Sequence, residues 1–306
     1  MIDAHHHLEP TGHNQNGRSW SIQMALEQMD ESGVTSAMAY AGPILGDPSS
    51  GARLACRKTN EWAAEICRAH PGRFGRFASL PMEDADSALD EIAYAFDELH
   101  VDGVGIAPRY GEAWLGDVRF RPIFEELDRR SAVVYIHPTR AGSCEAIATL
   151  NTTDGVIAAP WIEYPTDTAR TVLSLWSARI TRDYPNLRFL LCHGGGVLPI
   201  LLGRFDGFRG WPAVGQERFS ALFPDGVYAE FAKLYLECAQ AYAPETIAML
   251  RTLTQPSHLL FGTDFSYFPI AHSVRAFNAL ALPEPVRSAI AHDNAAALFG
   301  RWEAPA

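Results

Sequence analysis

Two histidines two positions apart, His5 and His7, stand near the start of the chain in Ile2-Asp3-Ala4-His5-His6-His7. Side chains alternate along a strand, so these two share one side while His6 points the other way. Paired imidazoles at a strand end are natural metal ligands. Other polar residues also close apolar runs: His137 after Val133-Val134-Tyr135-Ile136, His193 after Phe189-Leu190-Leu191-Cys192, and Asp264 after Leu259-Leu260-Phe261-Gly262-Thr263. An isolated H-x-H pair carries little weight. Joined by His137 and Asp264 it becomes three imidazoles and a carboxylate, a hard-to-borderline donor set that suits Zn2+ and also accepts Mn2+.

His193 lies in Cys192-His193-Gly194-Gly195-Gly196, where the glycines permit close approach of backbone or substrate. A fifth ligand, a general acid/base and a packed core histidine are its possible roles. The 25 basic residues bear on the choice, because all but Lys58 and Lys233 are arginine. Two-metal sites built on such strand-end histidines bridge their ions with a carbamylated lysine at a central strand end. Lys58 falls in an expected helix, and Lys233 precedes an expected strand rather than ending it. A second ion would have no bridge, which favours His193 as a proton carrier beside a single metal.

These residues can meet only if the elements between them bring strand ends together. Short β-branched or aromatic runs alternate with segments of helical period. Expected strands are 2–7, 34–41, 73–80, 102–107, 132–137, 187–192, 234–238 and 259–262. Expected helices include Ser21–Ser32, stopped by Gly33, then 51–70, Asp84–His100, Phe120–Arg130, Asp167–Tyr184, Val197–Phe208 and Pro244–Leu253. Eight strand-then-helix units without hairpin signals imply right-handed parallel crossovers that close into a (β/α)8 TIM barrel. No G-x-G-x-x-G follows the first strand, which argues against a doubly wound sheet. One domain over 1–306 is expected, with loop insertions at 139–165 and 210–226, the latter holding Trp211, Phe219 and Phe223. Loops of that length carry function or an interface.

Composition narrows the partners. With 47% hydrophobic and 20% charged residues the chain is globular, and its net charge of −11 argues against nucleic-acid or anionic-membrane binding. No run is long and apolar enough to span a bilayer, and no secretory signal is evident at Met1-Ile2-Asp3-Ala4. Five cysteines with no C-x-x-C spacing read as reduced thiols, so a cytoplasmic setting is expected.

The motifs Ile2–His7, Tyr135-Ile136-His137-Pro138, His193–Gly196 and Phe261-Gly262-Thr263-Asp264 resemble the amidohydrolase-related family. More closely, they resemble the aminocarboxymuconate-semialdehyde decarboxylase branch, with its γ-resorcylate, 5-carboxyvanillate and 6-methylsalicylate decarboxylases. Pro71-Gly72-Arg73-Phe74, Phe124-Glu125-Glu126-Leu127 and Asp293-Asn294-Ala295 extend the resemblance along nearly the whole chain, and Ile162–Thr168 draws it toward the 6-methylsalicylate group. The resemblance implies that His5, His7, His137 and Asp264 bind one divalent metal and that His193 is the acid/base. It also implies that an arginine eleven residues later, Arg204, reaches into a neighbouring subunit's site to hold a carboxylate, in a homodimer or higher homo-oligomer. A guanidinium fork suits a carboxylate, and Arg53 or Arg57 beyond the second strand are further candidates. Trp161, Tyr164, Phe265 and Tyr267 are candidate aromatic walls.

The function so implied is metal-dependent, non-oxidative decarboxylation of a small hydroxyaromatic or enol-type carboxylic acid. In a salicylate-type reaction Asp264 is the expected proton donor and His193 orients the substrate hydroxyl. In a semialdehyde-type reaction His193 instead activates water at the metal. The alternative is hydrolysis of a lactone or a C–C bond with the same ligands. A third reading, from another class, is a barrel that binds metal or ligand without turnover.

Overall fold

In the computed structural model, the structure is described for residues 1–42, 51–139 and 159–302. Among these residues eight parallel strands lie side by side in chain order: β1 (Ile2–His7), β2 (Ser36–Tyr40), β3 (Phe74–Ser79), β4 (Gly103–Ile106), β5 (Val133–Ile136), β6 (Arg188–Leu191), β7 (Tyr235–Glu237) and β8 (Leu259–Leu260). The ends of this sheet meet. Ala4 N–H donates to the Phe261 carbonyl, Asp264 N–H to that of His5, and His7 N–H to that of Phe265, so β1 pairs with the chain leaving β8. The result is the expected (β/α)8 barrel.

Helices cover its outer face: α1 (Ile22–Ser32), α2 (Gly51–Ala69), α3 (Ala85–Asp97), α4 (Arg121–Arg129), α5 (Ala159–Ser177), α6 (Leu198–Gly207), α7 (Pro244–Leu253) and α8 (Ile270–Asn278). Their boundaries follow local chemistry. Ser21 caps α1 by accepting Met24 N–H, and Gly33 ends it in the left-handed conformation. Alternation along the strands separates two cores. Ile2, Ala4, Met38, Tyr40, Phe77, Tyr135 and Leu260 fill the barrel, while Ala37, Ala39, Val134, Ile136 and Leu236 pack outward against the helices. Among the described residues, no helix is long and apolar enough to cross a membrane.

The expected loop insertions are corrected in part. Residues 159–165 belong to α5, although two prolines, Pro160 and Pro165, lie in that stretch. Interior proline usually breaks a helix. Here the carbonyl of Pro165 accepts Val197 N–H, and Gly196 lets the two backbones meet. Residues 140–158 of that insertion lie outside the described ones. The second insertion is not a bare loop either, because it holds the helix Gln216–Leu222, whose Phe219 is buried.

Close packing inside the barrel is exacting at β4. A Cβ added to Gly103 would lie 2.5 Å from the backbone oxygen of Val133, and one on Gly105 would lie 2.4 Å from the Tyr40 ring. Backbone cannot yield as a side chain tip can. Gly103→Ala should therefore destabilise the fold by about 1–3 kcal/mol, the usual cost of overpacking, seen as a lower denaturant midpoint at unchanged m-value. An unchanged midpoint would contradict this account of β4.

Candidate active site

The strand ends that the sequence marked do converge. His5 Nε2 and His7 Nε2 stand 3.1 Å apart, and Asp264 Oδ1 lies 3.3 Å from the first and 3.2 Å from the second. The His137 ring faces both, its centroid 4.9 Å from that of His5 and 4.7 Å from that of His7. One donor atom from each of His5, His7, His137 and Asp264 lies within 4.8 Å of all the others, and all four residues are buried. His6 points away, as alternation requires, and donates its Nδ1–H to Asp3.

The outer partners fix this arrangement. His5 Nδ1–H donates to Glu237 Oε1 at 2.7 Å, which leaves Nε2 turned toward His7 and Asp264. Asp3 is wholly enclosed. Its Oδ1 accepts the backbone N–H groups of His5 and Thr263, and its Oδ2 accepts the Thr263 hydroxyl at 2.6 Å. This bond network holds the strand carrying His5 and His7 against the turn that carries Asp264. Imidazole nitrogens and a carboxylate oxygen that face one another this closely, with a carboxylate behind one ring, form a donor set that fits a divalent cation.

Charge is distributed unevenly over the cluster. Burial disfavours a charged His5, but the Glu237 and Asp264 carboxylates outweigh it and raise its pKa to about 10. Burial, with His7 and His5 beside it, drives His137 well below the ordinary imidazole range. Burial would raise the Asp264 carboxyl, yet His5, His193 and His7 hold it well below the usual carboxylate range. Burial also opposes a charged His193, but Cys192 and Asp264 carry it well above normal.

His193 stands on the other face of Asp264, its Nε2 3.5 Å from Oδ2. That is long for a hydrogen bond, and catalytic contacts of this kind commonly tighten with substrate. The residue takes a left-handed backbone conformation (φ 54°), continued by Gly194, Gly195 and Gly196. It also belongs to a second convergent group with His5 and Glu237. Neither lysine reaches the cluster. Lys58 lies on α2, and Lys233 pairs with Glu230 at 2.7 Å.

The mouth above the cluster is a cavity of about 1440 Å³, ample for a one-ring acid. Tyr40, Tyr110, Tyr164, Tyr267 and Phe268 supply its aromatic walls, and Trp161 stands at the edge with 64% of its surface exposed. Glu9, Arg109 and Gln240 also line it, none of them singled out in the sequence.

Two sequence expectations are corrected. Phe265 is buried in the seam against His6, with ring centroids 4.9 Å apart, and does not line the cavity. The left-handed turn at Asp264 sends the next side chain back between the strands. Arg53 lies on the outside of α2, 60% exposed and paired with Asp90, while Arg57 pairs with the buried Glu91. Arg204 is exposed on α6, its guanidinium 5.6 Å from the Phe208 ring, and does not line the cavity of its own chain.

The profile of the family described as Amidohydrolase matches residues 2–301. The chain belongs to that family. It lies in the decarboxylase branch that its motifs resemble, an enzyme among carboxy-lyases of the amidohydrolase superfamily. It is similar to the 6-methylsalicylic acid decarboxylase acuB of Aspergillus aculeatus, with 34% identity over 98% of this chain and 96% of the relative. A gamma-resorcylate decarboxylase of Rhodococcus jostii is 27% identical over 79% of this chain and 75% of its own. A dihydroxybenzoic acid decarboxylase of Polaromonas sp. JS666, solved with manganese and the inhibitor 2-nitroresorcinol, shares the fold. Its TM-score is 0.82 at 21% identity, covering 99% of this chain and 98% of that one.

These placements separate wall from surface. Trp161→Ala in this amidohydrolase-family chain should raise KM several-fold while leaving kcat within about twofold, because an edge residue contributes binding common to ground and transition state. Arg53→Ala should leave both constants and stability essentially unchanged, since exposed ion pairs contribute about 0–1 kcal/mol. Steady-state kinetics on the two variants checks both, and a large loss for Arg53→Ala would contradict its placement.

Proposed function

We propose that this chain is a metal-dependent, non-oxidative decarboxylase of a small hydroxyaromatic carboxylic acid of the 6-methylsalicylate type. The observation that carries the reading is the convergence of His5, His7, His137 and Asp264, with His193 across Asp264. It is joined to 34% identity with a 6-methylsalicylic acid decarboxylase over nearly both chains. His5, His7, His137 and Asp264 would hold the ion, which supplies Lewis-acid stabilisation of the negative charge that develops during C–C cleavage. Mn2+ is the first ion to test, given the manganese-bearing structural neighbour, and Zn2+, which the donor set also suits, is the second.

The chain's own residues account for the remaining requirements. The C–C bonding electrons stay on the ring carbon, which takes one proton as CO2 leaves, so no oxidant or water is consumed. His193 stores that proton and orients the hydroxyl beside the carboxylate, and Asp264, between His193 and the ring, delivers it to carbon. The aromatic walls hold the ring plane and limit water, as sites of this kind do with few polar groups. Arg204 is outside its own cavity, and in this reading it serves the site of a second copy. The exposed Ile200 and Trp211 on the same side are then part of a homo-oligomer contact.

Loaded with Mn2+ and offered a panel of 2-hydroxybenzoates including 6-methylsalicylate, the protein should release one CO2 per phenol formed. Asp264→Asn should lose at least about 100-fold in kcat/KM, the range for a lost proton donor. Silence on every acid, with turnover of a lactone, would replace the decarboxylase by a hydrolase. The shared site has its own check. Inactive Arg204→Ala mixed with inactive His193→Ala should regain part of the activity once subunits exchange, and no recovery after verified exchange would count against it.

A further inference from the structure

The proposed chemistry does not use the enclosed carboxylate directly behind His5. Glu237 ends β7 with no exposed surface, and both of its oxygens are engaged. Oε1 accepts His5 Nδ1–H at 2.7 Å and the backbone N–H of His193 at 2.8 Å, while Oε2 accepts Ala239 N–H at 2.7 Å. Every partner is a donor. One is the ring of a ligand, and another is the backbone of the proposed proton carrier.

The fold keeps a place for this side chain. A Cβ on Gly262 would fall 2.1 Å from Glu237 Oε2 and 3.2 Å from the Cβ of His5, so only glycine leaves room there. The Tyr242 hydroxyl fixes that glycine, accepting its N–H at 3.0 Å and donating to its carbonyl at 2.8 Å. The backbone of His193 needs such a hold, because a non-glycine residue at positive φ is strained unless its surroundings over-determine it.

We propose that Glu237 is a positioning residue that couples ligand geometry to proton delivery through a single oxygen. That oxygen fixes His5 as the Nδ1–H tautomer, so Nε2 faces the ligand cluster. It also pins the left-handed turn at His193, so that this ring faces Asp264. The inference rests on the roles given above to His5 and His193 and deepens them. An amide cannot substitute for the carboxylate. With its NH2 at the Oε1 position it opposes His5 and His193, and the relief open to His5 is to move its proton to Nε2, which disables a ligand. With its NH2 at the Oε2 position it opposes Ala239 N–H and the side chain is pushed from its seat.

The full chain carrying Glu237→Gln tests this with Mn2+ as probe. The measurements are Mn2+ affinity by competition with a chelating indicator and, in protein loaded with diamagnetic Zn2+, histidine ring tautomers by nitrogen-15 NMR. Thermal denaturation verifies that the variant is folded. The expected result is a 10–100-fold weaker Mn2+ Kd, the usual effect of losing a carboxylate behind a ligating histidine, together with loss of the His5 Nδ1–H signal. A folded variant with unchanged Kd and the same His5 tautomer would overturn the proposal. If Glu237→Gln does not fold, Glu237→Asp takes its place, where a weakened Kd supports the coupling and an unchanged one overturns it. In protein loaded with Mn2+, kcat should fall more than KM changes. Affinity and tautomer do not depend on turnover, so a wild-type chain that binds Mn2+ but releases no CO2 would defeat the decarboxylase reading alone.

Discussion

Everything at the site depends on how the barrel closes. A parallel barrel must pair its first strand with its last, and here that pairing sets His5 and His7 beside a carboxylate more than 250 residues away in sequence. Backbone bonds alone would leave the register of this seam open to slippage. Asp3 removes the freedom by binding His5 N–H and Thr263 N–H through one oxygen, and the Thr263 hydroxyl and His6 through the other. A one-residue slip would turn His5 and His7 outward and His6 inward. The carboxylate at the seam therefore decides which histidines can bind an ion.

The second constraint is electrostatic. Five ionisable side chains, His5, His7, His137, His193 and Asp264, share one enclosed volume, and Glu237 lies directly behind them. Isolated buried charges are costly, so such a cluster persists only where opposite charges and hydrogen bonds compensate. The three directly bonded carboxylates of the region are compensated in different ways. Asp3 is met by backbone and hydroxyl donors, Glu237 by three N–H groups, and Asp264 by the imidazoles. Of these three carboxylates, only Asp264 faces the cavity as well as the imidazole cluster.

Much of this was legible in the sequence because the marked residues end apolar runs, and the barrel gathers run ends at one mouth. His5, His7, His137, His193 and Asp264 were found that way. Glu237 obeys the same rule but was hidden inside the run Leu234–Cys238, whose reading as a strand continued past it. Its place between outward-packed Leu236 and the mouth was the available signal. Phe265 was misread because a left-handed residue before it reverses the alternation on which side-chain direction depends. For Arg53, one of several arginines on α2, sequence spacing gives no means of telling an outer face from a cavity edge. The helix over 159–165 was obscured by prolines whose local cost is offset by contact with a distant glycine. Local rules failed where a tertiary contact set the outcome.

We propose that a single ion, held by His5, His7, His137 and Asp264, underlies decarboxylation in this barrel. The most direct test is a titration of chelator-stripped protein with Mn2+, with bound metal and CO2 release measured on the same samples. The account predicts that release is absent in stripped protein, rises in proportion to bound metal and levels off at about one ion per chain, as a site without a bridging lysine requires. Full release in stripped protein, or a rise that continues to two ions per chain, would contradict it.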